Sequence, residues 1–90
     1  MEQRFQEIEN LFSVIVEEMS QLMDQPSKDE LSEFIDHGEY GLALETLCYV
    51  LRGNRISLSS ISYSKIKKLV EMLGFDNIVL DGILVRKLSI

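Results

Sequence analysis

An apolar stripe near the N-terminus, repeated at spacings of three and four residues, most constrains what this chain can fold into. Such a stripe lies along one side of an α-helix and is typical of a helix that packs on a hydrophobic core. Its members are Phe5, Ile8, Phe12, Ile15, Met19 and Leu22. Polar and acidic residues occupy the opposite side, so we predict a first helix over about residues 2–24 that buries one face.

Turn signals divide the next segment into two shorter helices. Ser27 and Glu30 have the spacing of a capping box, in which two side chains satisfy free backbone amides at a helix start. We therefore predict a second helix over about residues 28–37, ended by Gly38, because glycine readily adopts the left-handed conformation that closes many helices. A third helix follows over about residues 40–52, with its apolar residues on one face.

The third predicted helix has two further features. Gly41 and Ala43 lie near its start and are small enough to allow close packing against a neighbouring element. Glu45, Tyr49 and Arg52 share another side of the helix, which places an aromatic ring between opposite charges. That side is a candidate exposed surface.

A serine-rich connection leads to a fourth helix, predicted over about residues 62–73 with Ser60 or Ser62 as its N-cap. The chain has 90 residues, of which 46% are apolar, and this is enough for one small core but not for two. The predicted fold class is therefore all-α, a single-domain bundle of about four helices.

The tail, residues 76–90, is compatible with two structures. Asp81 and Gly82 lie between two β-branched runs, which favours a β-hairpin. Alternatively, Asp76 could cap a short helix that packs on the bundle. The side chains buried in that case would be Ile78, Val79, Ile83 and Leu84.

Cysteine content and hydropathy indicate the compartment. The single cysteine, Cys48, cannot close an internal disulfide, which suits a reducing environment. The N-terminus lacks a basic segment followed by an apolar run, and no later stretch approaches the length needed to cross a bilayer. We therefore expect a cytoplasmic protein with no membrane partner.

The net charge of −6 is unevenly distributed along the chain. Residues 1–48 contain twelve acidic residues against two basic ones, a net charge of −10. Residues 49–90 contain seven basic residues against three acidic ones, a net charge of +4. Because phosphate repels the acidic half, we expect a cationic partner and no direct binding of nucleic acid. An acidic surface that only keeps the protein soluble is the alternative explanation.

The sequence offers little for catalysis or for cofactor binding. Its one histidine, His37, and Glu39 lie on either side of a turn, but two ligands do not make a metal site. Cys48 lies on the apolar face of its helix, where a thiol is expected to be buried and inert. There is no glycine-rich phosphate loop, and the Asp-Ser-Leu attachment motif of an acyl carrier is absent. We expect a protein that is not an enzyme and uses no cofactor.

The turn between the second and third predicted helices gathers acids and an aromatic residue around Gly38. Glu33 and Asp36 are three residues apart and lie near each other on the helix surface, and the turn adds Glu39 and Tyr40. Such a cluster can bind lysines and arginines of another protein, because charge sets the association rate while the aromatic ring supplies buried area. A purely structural turn, in which Tyr40 packs inward, explains the same residues.

Residues 33–75 contain the run EFIDHGEYGLALETLCYVL, an Ile-Ser-Leu-Ser connection and the run YSKIKKLVEMLGF. This segment resembles the MafI family of immunity proteins. These proteins belong to bacterial polymorphic toxin and contact-dependent growth inhibition systems. The most characteristic run consists of His37, Gly38, Glu39, Gly41, Leu42, Ala43, Leu44, Glu45 and Leu47. The resemblance implies a small, mostly α-helical cytoplasmic protein that binds the toxic C-terminal domain of a partner and blocks it without catalysis. It also implies that the toxin is a nuclease, since EndoU-like ribonucleases and other nucleases are frequent toxins in this family.

Charge and resemblance together lead to one hypothesis about the interface. A nuclease cleft is positive because it holds phosphates, so an acidic inhibitor can approach it quickly and occupy it. The residues predicted to face the toxin are Asp29, Glu30, Glu33, Asp36, Glu39 and Tyr40, with the first two at the rim. The alternative function is a structural one, a helical adaptor that self-associates or joins a larger assembly through spare apolar surface on the first helix.

Overall fold

The computed structural model describes residues 3–86 and shows four α-helices arranged as two packed pairs. The helices are α1 (Gln3–Met19), α2 (Gln25–Asp36), α3 (Tyr40–Gly53) and α4 (Ser60–Leu73). α1 packs mainly on α4 and α2 mainly on α3, and contacts between α3 and α4 join the two pairs. The predicted all-α bundle of about four helices is confirmed. Residue 2, the predicted start of the first helix, and residues 87–90 of the predicted tail lie outside the described residues.

All four helices contribute buried side chains to one core. Its largest fully buried members are Phe12, Ile8, Ile15, Met19, Leu31, Leu44, Leu47, Leu51, Leu58, Ile66, Leu69 and Val70. The apolar stripe of α1 faces this core, as its spacing predicts, except at the two ends. Phe5 is 50% exposed and Leu22 is 56% exposed, because Phe5 lies near the start of α1 and Leu22 follows its end. None of the helices within residues 3–86 combines the length and the apolar character required to cross a membrane.

The boundary between α1 and α2 differs from the prediction. α1 ends at Met19, and α2 begins at Gln25 with Asp24 as its N-cap. The Asp24 carboxylate accepts a hydrogen bond from the Ser27 N–H, so Ser27 lies inside the helix instead of capping it. Pro26 fits the first turn because a helix leaves its first N–H groups without an intrahelical partner. The N-cap therefore lies three residues before the predicted Ser27, and Ser27 and Glu30 do not act as a capping box.

The N-cap of α4 also differs from the prediction. Ser59 is the N-cap, and its hydroxyl oxygen accepts a hydrogen bond from the Ser62 N–H. Neither Ser60 nor Ser62 has the predicted capping role, because Ser60 is already the first helical residue. Close packing at the start of α3 is as predicted: Ala43 is fully buried, and a Cβ on Gly41 would lie 3.4 Å from the ring of Phe75.

Over residues 76–86, the described part of the tail, the chain forms a short helix and not a hairpin. Asp76 caps a 3-10 helix, Asn77–Leu80, by accepting a hydrogen bond from the Ile78 N–H at 3.0 Å. The chain then turns at Gly82 and forms a short strand, β2 (Leu84–Val85). This strand pairs in parallel with β1 (Ser57–Leu58), which precedes α4.

Two side chains of the tail show how it packs. Ile78, which the short-helix alternative would bury, is 66% exposed. Leu80 is buried instead, and Val79 and Ile83 pack partly against the core. The tight 3-10 turn presents Leu80 to the bundle and leaves Ile78 in solvent.

Candidate functional site

The outer face of α2 presents the carboxylates that the sequence predicts. Because successive residues of an α-helix are about 100° apart, Asp29, Glu33 and Asp36 share one sector, and Glu30 lies at its edge. All four side chains are exposed, and Glu39 follows them, also exposed, in the turn after the helix. The structure therefore brings five of the six predicted residues onto one accessible surface, which we call the α2 acidic face.

Within residues 3–86, cations do not neutralise this face. The two ion pairs of the described residues join α1 to the second half of the chain: Lys68 with Glu7 at 3.4 Å, and Arg86 with Glu18 at 2.8 Å. The Asp29 side chain accepts a hydrogen bond from Gln25 at 2.8 Å. The other carboxylates of the face make no ion pair or side-chain hydrogen bond with the described residues; they are Glu30, Glu33, Asp36 and Glu39.

The negative environment at the end of α2 affects the pKa of His37. Its ring Nδ1 lies 2.8 Å from the Glu33 carbonyl oxygen, and the side chain is exposed. The hydrogen bond to this carbonyl raises the pKa of His37, and the carboxylates of Glu33, Glu39 and Asp36 raise it further. Glu33 and Asp36 lie in the last turn of α2, where free carbonyls form the negative end of the helix dipole. Two acids at this position are unfavourable for the helix itself.

Tyr40, the sixth predicted residue, packs toward α1. Its hydroxyl donates a hydrogen bond to the Glu9 carboxylate at 2.6 Å, and its ring centroid lies 5.9 Å from that of Phe5. The hydrogen bond to Glu9 raises the pKa of Tyr40 to about 12. The side chain is half-buried, as the structural explanation of the turn predicts. Tyr40 thus offers a partner only the exposed part of its ring.

Surface grooves lie on both sides of α2, and each is lined by a carboxylate from this helix. The α1–α2 groove has a volume of about 520 Å³. Its acidic residues are Glu9, Glu17 and Asp36, and its apolar residues are Phe12, Val16, Leu31 and Ile35. The carboxylates surround an apolar floor, since Phe12 and Leu31 belong to the buried core.

The second groove lies between α2, α3 and the 3-10 helix, and we call it the α3 groove. It has a volume of about 820 Å³. Its residues are Glu30, Glu45, Thr46, Cys48, Tyr49, Arg52, Ile78, Val79 and Asp81. Tyr49 is 74% exposed, so the side of α3 that combines Glu45, Tyr49 and Arg52 is indeed at the surface. Both grooves extend the α2 acidic face onto neighbouring elements.

Sequence reasoning missed the groove residues that come from distant parts of the chain. The apolar spacing puts Glu9 and Glu17 on the polar side of the first helix, and nothing in it indicates that they line a groove with Asp36. Ile78 and Asp81 join the α3 groove only because the tail packs against α3. The one available signal was the exposed trio on α3.

Two other kinds of chemistry would need a reactive thiol or a metal site within residues 3–86. Burial raises the pKa of the Cys48 thiol to about 11, so the thiol stays protonated and unreactive. Within the described residues, no group of three or more histidine, cysteine, aspartate or glutamate side chains is placed to hold a metal ion.

Comparison with protein-family models, curated proteins and solved structures finds no match to this chain. The surface itself, carboxylates beside apolar grooves, is suited to binding a basic protein.

Proposed function

We propose that this chain is an immunity protein that binds and neutralises a cognate bacterial toxin domain by non-covalent inhibition, without catalysis of its own. The main observation in support is the α2 acidic face, whose carboxylates are exposed and lack cationic partners among the described residues. The resemblance of residues 33–75 to MafI immunity proteins supplies the class of partner. The toxin is accordingly proposed to be a nuclease of the EndoU-like ribonuclease class.

Electrostatics connect this surface to a nuclease. A nuclease holds phosphates in a positive cleft, and clefts lined by one sign of charge concentrate field lines. Exposed carboxylates are therefore attracted to the same surface as the substrate, which accelerates association. The α1–α2 groove and the α3 groove add apolar area beside the charges, and buried apolar contacts slow dissociation.

The direct test is co-expression with the C-terminal domain encoded immediately upstream in the source genome. A stoichiometric complex, together with loss of RNA cleavage by that domain in its presence, is the expected result. The absence of a complex, or a complex that still cleaves RNA and every other nucleic acid offered, would contradict the proposal.

The position of the interface is tested by charge reversal. We expect the triple variant Glu33→Lys, Asp36→Lys and Glu39→Lys to lower the association rate constant by about tenfold or more at low salt. The difference should shrink as salt is added, because exposed charges are screened. Stopped-flow fluorescence measures both effects. The control is Glu71→Lys, a charge reversal on α4, away from the α2 acidic face. If Glu71→Lys lowered the association rate constant as much as the triple variant does, the interface would not lie on the α2 acidic face.

The adaptor alternative has weaker support from the structure. The exposed apolar residues of α1 are Phe5 and Val14, at 50% and 43% exposure. They are nine residues apart, which places them on opposite sides of the helix, so they do not form one patch. Sedimentation velocity distinguishes the two functions, since a stable higher oligomer formed without a partner would favour the adaptor.

A further inference from the structure

The α3 groove combines two exposed side chains with apolar surface. Tyr49 on α3 is 74% exposed, and Ile78 on the 3-10 helix is 66% exposed. Both line the same groove, so they are not scattered single residues. The two elements that carry them pack against each other, and both side chains line one groove. A ring and an aliphatic group in the same groove can contact one segment of a partner together.

The charges of the groove are mostly of one sign. Three carboxylates line it, those of Glu30, Glu45 and Asp81. The one cation, Arg52, is already engaged, because its Nη1 donates a hydrogen bond to the Val79 carbonyl at 2.8 Å. The Arg52 side chain also lies against the backbone of the tail, where a Cβ on Gly82 would be 3.1 Å from its Cδ. Arg52 therefore holds the tail in place, and the carboxylates remain available to a partner.

We propose that the α3 groove binds a basic segment of the partner that carries an arginine next to an aliphatic side chain. The guanidinium plane would stack on the ring of Tyr49 and form a bidentate pair with a neighbouring carboxylate, Glu45 or Asp81. The aliphatic side chain would cover Ile78. This proposal rests on the proposed function in one respect, namely that the partner is a basic protein, and it adds where and through which chemistry the partner docks.

Short helical peptides test the groove without a known partner. The first peptide carries arginine and leucine four residues apart, the second has serine in place of leucine, and the third has glutamate in place of arginine. In ¹⁵N–¹H NMR titrations of the full chain, we expect only the first peptide to shift the amide signals of residues 45–52 and 76–82 in a saturable manner. At the peptide concentration that half-saturates the shifts with the first peptide, we expect each comparison peptide to give less than about one fifth of those shifts.

Two exposed isoleucines provide a matched pair of variants. Ile78→Ser should weaken binding of the first peptide by about fivefold or more, and Tyr49→Ser should do the same. Ile61→Ser should leave binding unchanged, because Ile61 is equally exposed, at 67%, but lies on α4 outside the groove. Equal binding of all three peptides, shifts confined to other residues, or equal effects of Ile78→Ser and Ile61→Ser would overturn the proposal.

The same variants separate this proposal from the proposed function. If the upstream-encoded domain binds, and Ile78→Ser and Tyr49→Ser leave its affinity unchanged, the proposed function stands and the groove proposal is wrong. If that domain does not bind but the arginine–leucine peptide does, the groove proposal stands with a different basic partner. A dimer of this chain that Ile78→Ser dissociates would show that a second copy occupies the groove, and would also overturn the proposal.

Discussion

Among single residues, Glu18 connects three separate parts of the fold. Its carboxylate accepts hydrogen bonds from the Ser59 N–H at 3.0 Å, the Ser59 hydroxyl at 2.9 Å, and the hydroxyl of Ser62. It also pairs with the Arg86 guanidinium at 2.8 Å. One side chain near the end of α1 therefore fixes both the N-cap of α4 and the residue that follows β2. In the sequence, Glu18 is one of many acids, and nothing local distinguishes it.

The hydrogen bonds to Glu18 predict a specific dependence of stability on pH. Partial burial raises the pKa of Glu18, but the hydrogen bonds from Ser62, Ser59 and Arg86 outweigh it and lower the pKa from 4.5 to about 2. Because the folded pKa lies below the unfolded one, the stabilisation is present above about pH 4.5 and is lost as the pH falls toward 2. Glu18→Gln should lower the free energy of unfolding at pH 7 by about 2 kcal/mol.

Urea denaturation at several pH values measures this effect. The native protein should lose more stability between pH 7 and pH 3 than Glu18→Gln does, because the variant has no charge to lose at this position. Glu17→Gln is the control, since Glu17 is adjacent and exposed, and we expect a change within about 0.5 kcal/mol. Similar losses for the two variants would contradict the role assigned to the Glu18 hydrogen bonds.

At the scale of elements, the turn between α2 and α3 depends on a left-handed backbone at Gly38. Gly38 has φ = 72°, a conformation that residues with a Cβ rarely adopt. Gly53, at the end of α3, has a negative φ, and an added Cβ would meet no atom within 4 Å at either position. The two glycines thus differ in backbone conformation and not in available space.

This difference predicts opposite effects of one substitution. Gly38→Ala should destabilise the fold by about 1 kcal/mol, because alanine is strained at positive φ. Gly53→Ala should be neutral or stabilise by up to about 1 kcal/mol, because alanine restricts the unfolded chain and favours the helix. Thermal unfolding followed by circular dichroism compares the two, and a stabilising Gly38→Ala would show that the turn tolerates another backbone conformation.

The elements also show what the sequence could predict and what it could not. Helix number and the core side of α1 follow from local apolar spacing, and Ile8, Phe12 and Ile15 are buried as predicted. Helix ends depend on which of several competent caps is used, and here Asp24 and Ser59 act in place of the predicted serines. The parallel pairing of β1 with β2 was not predicted, because the two strands are separated by α4 and no local signal links them. The exposed acids of α2 were predicted, whereas the grooves beside them require tertiary packing.

For the whole molecule, the basic second half of the chain forms ion pairs within residues 3–86 with one acidic helix, α1, and not with the other, α2. α1 is acidic and packs on α4, and the ion pairs of Glu7 with Lys68 and Glu18 with Arg86 connect the halves. The positive charge of the second half is thus partly used to neutralise α1. α2 packs on α3 and keeps its carboxylates unpaired among the described residues. Unneutralised negative charge therefore remains on the α2 acidic face and in the two grooves beside it, although the sequence spreads acids over its whole first half.

This distribution predicts that the α2 acidic face reduces the stability of the fold. Glu33 and Asp36 oppose the dipole at the end of α2, so the double variant Glu33→Gln and Asp36→Asn should raise the free energy of unfolding by about 0.5–1 kcal/mol at low salt. The gain should vanish near 1 M salt, where the Debye length is about 3 Å. The pKa of His37 should fall toward its usual value in the same variant, because two of the carboxylates that raise it are removed.

Asp29→Asn with Glu30→Gln is the matched control for this trade-off. It removes the same charge from the same helix but away from its negative end, so we expect no gain in stability. Chemical denaturation and the affinity for the upstream-encoded domain should be measured on both variants. A more stable Glu33/Asp36 variant that binds more weakly indicates that these acids are retained for recognition. If the variant is more stable and binds equally well, the acids at the end of α2 are not part of the interface, and the grooves on either side become the place to look for it.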